Sequence, residues 1–157
     1  MRTLLSSGLV FATLLASPPT ALAGPPVAAP DTITAANGVV LTNTDPVITA
    51  FRSRDAVSCG SLPSDPDLAA KLDAIAEADI APSWVPMRAA TCLGELYAND
   101  ARFADWVGPW FSDDDRGGLA VAVLDGTRSD ATAQQRLAPL ALAATGRWAP
   151  ILARHLR

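Results

Sequence analysis

An all-α fold, a short α–α superhelix of helical hairpins behind a flexible N-terminal arm, is predicted by three features of this 157-residue chain. Helix-start signals punctuate it from position 45 onward, apolar residues recur at helical spacing, and small-residue segments repeat at offsets of 31 to 34.

The first 23 residues are set apart from that fold. Arg2 precedes an apolar run over 4–16, and Ala21-Leu22-Ala23 supplies a small-residue cleavage site before Gly24, the pattern of a secretory signal peptide. The apolar run is shorter than the roughly 18–20 residues that span a bilayer, so a secreted or periplasmic chain with no membrane insertion is expected after cleavage. Residues 24–30 are rich in Gly, Pro and Ala, and 31–44 are polar and β-leaning. Together 24–44 read as a linker or poorly ordered arm. The remainder, 45–157, is expected to form one helical domain.

Each helix has its own start signal. Asp45-Pro46 and Asp65-Pro66 put a capping carboxylate before a proline, the residue best suited to a first helical position. Ser83 precedes Trp84, and Ser129-Asp130 precede Ala131. Helices are predicted over 46–58, 66–79, 84–98, 101–111, 114–125, 131–145 and 148–156, with short connections that favour antiparallel neighbours. Within the second, Leu68, Leu72, Ile75 and Ala76 share a face while Lys71, Asp73 and Glu77 lie elsewhere. Phe103, Trp106, Val107, Trp110 and Phe111 form an aromatic stripe in the fourth, read as core rather than as a ligand platform. Gly108-Pro109 predicts a kink or an early end there.

Repetition is visible in the alignment of Arg54-Asp55-Ala56-Val57-Ser58-Cys59-Gly60-Ser61-Leu62 with Arg88-Ala89-Ala90-Thr91-Cys92-Leu93-Gly94-Glu95-Leu96, at an offset of 34. Leu93, Leu124 and Leu156 recur at offsets of 31 and 32. Such periods are those of helical solenoids, in which each helix pair buries its face against the next; an irregular bundle is the alternative. The segment Val85-Pro86-Met87-Arg88-Ala89-Ala90-Thr91-Cys92-Leu93-Gly94-Glu95-Leu96 resembles the second helix of a HEAT or HEAT-like repeat. Ala89, Ala90, Leu93 and Gly94 fit the family pattern, and Pro86 stands where it usually has arginine. The resemblance implies a scaffold or protein-binding surface carried by the second helices, with Arg88 and Glu95 as the possible binding face.

Cys59 and Cys92 are the only cysteines, and in an oxidising compartment a Cys59–Cys92 disulfide is expected. They lack the CxxC spacing of a redox centre. The formal charge of −4 becomes −5 once Arg2 is removed, which disfavours nucleic acid and anionic membranes as partners. Lys71 is the only lysine, and the Ala/Arg/Pro/Asp bias is that of a GC-rich bacterial genome.

Chemistry has few candidates. His155 is the only histidine and reads as a cation near a helix C-terminus; a Ser-His-Asp triad would need this end folded over a serine, and no nucleophile elbow is present. One histidine and two paired cysteines are too few for zinc. Asp113-Asp114-Asp115 fails as an EF-hand, because Leu124 falls where the bidentate glutamate belongs, and reads instead as a cap for the helix that follows. No catalytic residue, metal or cofactor is therefore expected. The reading is an exported, non-enzymatic protein-binding or scaffold module whose partner is another protein; a secreted inhibitor or immunity-type protein and an envelope enzyme with a cryptic site are the alternatives.

Overall fold

A computed structural model describes residues 32–156. The expected signal peptide and the first part of the arm lie outside the described residues. Seven α-helices and one two-stranded hairpin make up the described fold, in the order β1 (Thr32–Thr34), β2 (Val40–Thr42), α1 (Pro46–Arg52), a 3₁₀ turn at Cys59–Ser61, α2 (Leu68–Glu77), α3 (Trp84–Tyr97), α4 (Phe103–Ser112), α5 (Gly117–Gly126), α6 (Ala131–Ala143), a 3₁₀ turn at Gly146–Trp148 and α7 (Ala149–His155). The expected all-α class is thus the observed one.

The β-leaning stretch forms an antiparallel hairpin, with Ile33 opposite Leu41. Leu41 is fully buried, and Ile33 and Val39 pack on the core. At the turn, Asn37 donates to the Ala70 carbonyl at 2.9 Å and to Asp73 at 3.0 Å, pinning the hairpin to α2. Residues 32–44 are therefore a packed part of the domain and not a loose arm.

Helix starts follow their caps unevenly. Asp45 accepts from the Val47 amide at 2.9 Å with Pro46 in the first turn, and Asp130 accepts from the Thr132 and Ala133 amides. Asp65 instead caps a turn, accepting from the Asp67 amide at 2.8 Å, and α2 begins only at Leu68. Lys71 bridges the two acidic starts, 3.2 Å from Asp45 and 2.6 Å from Asp65. Its hydrogen bond holds the Asp65 carboxyl below the ordinary value of 3.8. α1 stops at Arg52, six residues before its expected end at 58. The carbonyls of Phe51, Ser53 and Arg54 turn towards side chains of α3 instead of continuing the helical ladder.

The helices pair as hairpins: α2 with α3, α4 with α5, α6 with α7. Second helices stack in the same sense. Met87 lies against Gly118 near the starts of α3 and α5, and Gly94 against Val123 near their ends. Trp148 covers Gly117 at the start of α5, while His155 reaches Asp125 near its end, so α7 runs parallel to both. This is the layered order of a short hairpin stack. Leu93 and Leu124, at the expected 31-residue offset, occupy buried positions on α3 and α5, and Leu156 packs on the same core just after α7. The offset of 34 has a different meaning. Residues 54–62 are loop and 3₁₀ turn, not helix, so they do not repeat the α3 segment; they lie on it.

The aromatic stripe is core as expected, with Phe103, Val107, Trp110 and Phe111 buried and Trp106 half-buried beneath the Arg102 guanidinium at 5.0 Å. α4 continues through Pro109 to Ser112 rather than ending early. Trp110 donates its indole N–H to Glu77 at 3.0 Å, and Arg116 donates to the same carboxylate at 2.8 Å. That pairing satisfies the one polar atom of the largest fully buried side chain.

Candidate functional site

The α3 helix carries two functional stripes. Trp84, Arg88 and Cys92 are spaced four residues apart and fall on one side of the helix, where they grip the chain that leaves α1. The Trp84 indole donates to the Phe51 carbonyl at 3.2 Å. Arg88 donates to the same carbonyl at 2.8 Å and also to Ser53 and Arg54. Cys92 closes the clamp through the disulfide to Cys59, across 33 positions of sequence, which is the pairing expected from the cysteine count. Arg88, expected on the binding face, has its guanidinium committed to backbone carbonyls at the C-terminal end of α1, where a cation complements the helix dipole.

The second stripe faces outward. Trp84 and Met87, three residues apart, are exposed to 43 and 37 %; Glu95 is exposed further along the helix, and Leu96, exposed to 38 %, falls half a turn round from Met87. Met87 and the Trp148 ring flank Gly118, where a Cβ would stand 3.9 Å from the Met87 sulfur and 3.7 Å from the ring. An apolar strip therefore runs from α3 over α5 to Trp148, at the N-terminal ends of three parallel helices. Trp148 is held by its indole N–H on the Asp114 carbonyl at 2.8 Å. At the opposite ends the surface is polar: Glu95, Asp125, Arg128 and Ser129 line one groove, and Arg128, Arg154 and His155 another.

Two expected chemical candidates resolve into structural roles. The acidic run does not cap α5, whose N-cap is Arg116 without a side-chain hydrogen bond. Asp113 instead accepts from the Asp115 amide at 2.8 Å, and Asp114 accepts from Arg147 through both its backbone carbonyl and its carboxylate. These carboxylates lock the turn before α5 and fasten the α6–α7 connection to it. Among the described residues no group of three or more His, Cys, Asp or Glu is placed to hold a metal ion. His155 Nδ1 donates to the Asp125 carboxylate across 3.1 Å, with Arg128 on the same oxygen at 2.7 Å. Two parts of a hydrolytic triad thus meet, but among the described residues no hydroxyl is hydrogen-bonded to the imidazole, and the nucleophile that such chemistry needs is missing from the arrangement.

One titratable group stands out away from both stripes. Burial, and after it the neighbouring Glu77 carboxylate, push Asp73 up to about 6, against the opposing pull of Asn37 and Arg116. Its position under the hairpin turn accounts for this.

No helix among the described residues is long and apolar enough to cross a membrane. No protein-family model, curated protein or solved structure matches the chain.

Proposed function

We propose that this protein is an exported, non-enzymatic binding module of HEAT-like hairpins whose α3–α5–α7 face recognises another protein. The observation that carries the reading is the apolar strip from the exposed Trp84 and Met87 to the half-buried Trp148, across helices whose opposite ends are charged. Large apolar side chains exposed in a contiguous row are the mark of an interaction surface, and an aromatic anchor within a polar rim is the usual anatomy of a protein interface. Parallel second helices presenting one continuous face are how hairpin solenoids build such surfaces. The Cys59–Cys92 disulfide and the signal-like N-terminus together support an oxidising compartment outside the cytoplasm.

The test is capture of partners from an envelope extract by the mature, oxidised protein, with mass-spectrometric identification. A Met87→Glu variant serves as the comparison, its fold checked by circular dichroism. Specific capture that Met87→Glu abolishes supports the reading. Capture unaffected by that change places recognition on another surface, and the absence of any captured protein counts against a protein partner.

A further inference from the structure

The loop gripped by α3 leaves one cation uncommitted. Arg54 is exposed, and among the described residues its guanidinium has no ionic or hydrogen-bonding partner, although its backbone carbonyl is taken by Arg88. Together with Trp84 and Arg88 it lines an open hollow of about 550 Å³, within the roughly 300–1,000 Å³ of sites that seat a small ligand or an anchoring side chain.

The lining of this hollow is set before anything binds. Trp84 is fixed by its indole N–H on the Phe51 carbonyl, yet 43 % of its surface stays open. Arg88 is tied to three carbonyls. The Cys59–Cys92 bridge and the Arg88 contacts hold the loop that carries Arg54. A preset aromatic surface with one unpaired guanidinium at its edge has a definite chemical complement. It takes an apolar or aromatic side chain against the indole and a carboxylate on the guanidinium, where two parallel N–H···O bonds can form.

Charge decides between candidate occupants. A basic or purely apolar segment would leave Arg54 without a counter-charge at the rim of a contact, whereas an acidic one supplies it.

We propose that the Trp84–Arg54 hollow is the anchor site for a segment of the partner protein in which an aromatic or aliphatic side chain stands within two residues of Asp or Glu. This rests on the protein-binding reading above and adds to it the chemistry of the partner.

The test is selection from a random dodecapeptide phage library on the mature, oxidised chain, followed by fluorescence polarisation with the leading peptide. Arg54→Glu is compared with Arg136→Glu, a matched charge reversal on α6, outside the α3–α5–α7 face. Both sites are exposed, and thiol titration and circular dichroism verify that the disulfide and the fold persist. The expected result is enrichment of peptides pairing an acid with an aromatic or aliphatic residue, whose affinity falls by about tenfold or more in Arg54→Glu and stays unchanged in Arg136→Glu. Enriched peptides without acids, equal losses in the two variants, or no enrichment at all would overturn the anchor. The protein-binding reading is separable, because it stands or falls on whether any protein is captured from the extract, and its assignment to the α3–α5–α7 face on whether Met87→Glu abolishes that capture.

Discussion

Gly126, the last residue of α5, lies directly against the backbone of Thr91 on α3: a Cβ at position 126 would run into the Thr91 carbonyl oxygen and crowd the Glu95 amide. Gly94 makes the reciprocal approach, where a Cβ would stand 2.5 Å from the Val123 carbonyl oxygen. The α3–α5 contact, the most extensive helix pairing in the molecule, is thus a backbone-to-backbone crossing that tolerates no side chain at either point. Ala89, Ala90 and Ala122 are buried on the same two helices.

Gly126→Ala is accordingly expected to destabilise the protein despite the better helix propensity of alanine. Overpacking against backbone, which cannot rotate away, costs about 1–3 kcal/mol, more than the roughly 0.5–1 kcal/mol that alanine returns within a helix. Gly108→Ala supplies the opposite sign. It lies in α4 with nothing within 4 Å of its would-be Cβ, and a gain of about 0.5–1 kcal/mol is expected. Urea midpoints for the two variants check both directions.

Removal of the Cys59–Cys92 bridge frees a loop spanning 33 positions, and the chain-entropy relation puts the loss at about 3–4 kcal/mol. The double Cys→Ser variant should show this fall in urea unfolding. Helical circular dichroism under native conditions should change little, because only the 3₁₀ turn Cys59–Ser61 is attached through the bridge. A loss below about 1 kcal/mol would mean that Arg88 and Trp84 hold the loop without help.

The parts of this fold that could be read from sequence are those governed by neighbours in the chain. Asp45-Pro46 and Asp130 marked helix starts because an N-cap is satisfied within three residues, and the stripe from Phe103 to Phe111 marked core because helical period is local. The end of α1 was hidden for the converse reason. Its last carbonyls are taken by Trp84 and Arg88, 33 to 37 positions away, so no feature of residues 46–58 announces the stop. The same distance explains the offset of 34 between 54–62 and 88–96. It looked like repetition, yet the two stretches are contact partners joined through Cys59 and Cys92. Glu95 was placed on an exposed face and is found there, whereas Arg88, about two turns away, is turned to the α1 carbonyls by a contact the helical period alone does not reveal. Trp84 and Met87 were passed over as site residues, although the absence of a core-facing position for them in the α3 period was a usable signal.

Asp73 makes stability depend on pH in a direction opposite to most carboxylates. Its folded value of about 6 lies above the unfolded 3.8, so the unfolded chain releases this proton first as pH rises. Stability contributed at low pH is therefore lost between about pH 4 and pH 6 and stays lost above it. Asp73→Asn keeps an acceptor for Asn37 and removes the charge. It is expected to stabilise the protein at pH 7 by on the order of 1 kcal/mol, after discounting for the partial solvent exposure of the group, and to give no gain at pH 3.5. Urea unfolding of both proteins at the two pH values checks this. An equal effect at the two values would place the cause outside the carboxylate.

Arg88 and Glu95 lie on the same helix yet should separate by the kind of loss each causes. Arg88 meets three carbonyls at the end of α1, and its replacement by alanine strips charged hydrogen bonds from groups that have no helical partner, at a cost of about 1.5–3 kcal/mol. Arg88→Lys should recover only part of this, because a single ammonium cannot reproduce the planar fork that reaches several carbonyls together. Glu95→Ala removes an exposed carboxylate from the polar end of the α3–α5 groove, and its stability should stay within about 0.5 kcal/mol of the parent. In partner capture the order reverses. Glu95→Ala should change binding with the fold intact, and Arg88→Ala should weaken it only in proportion to the loosening of the loop, which thermal unfolding and proteolysis of residues 53–58 measure directly. Equal stability of the two variants would remove Arg88 from the clamp and return it to the binding face.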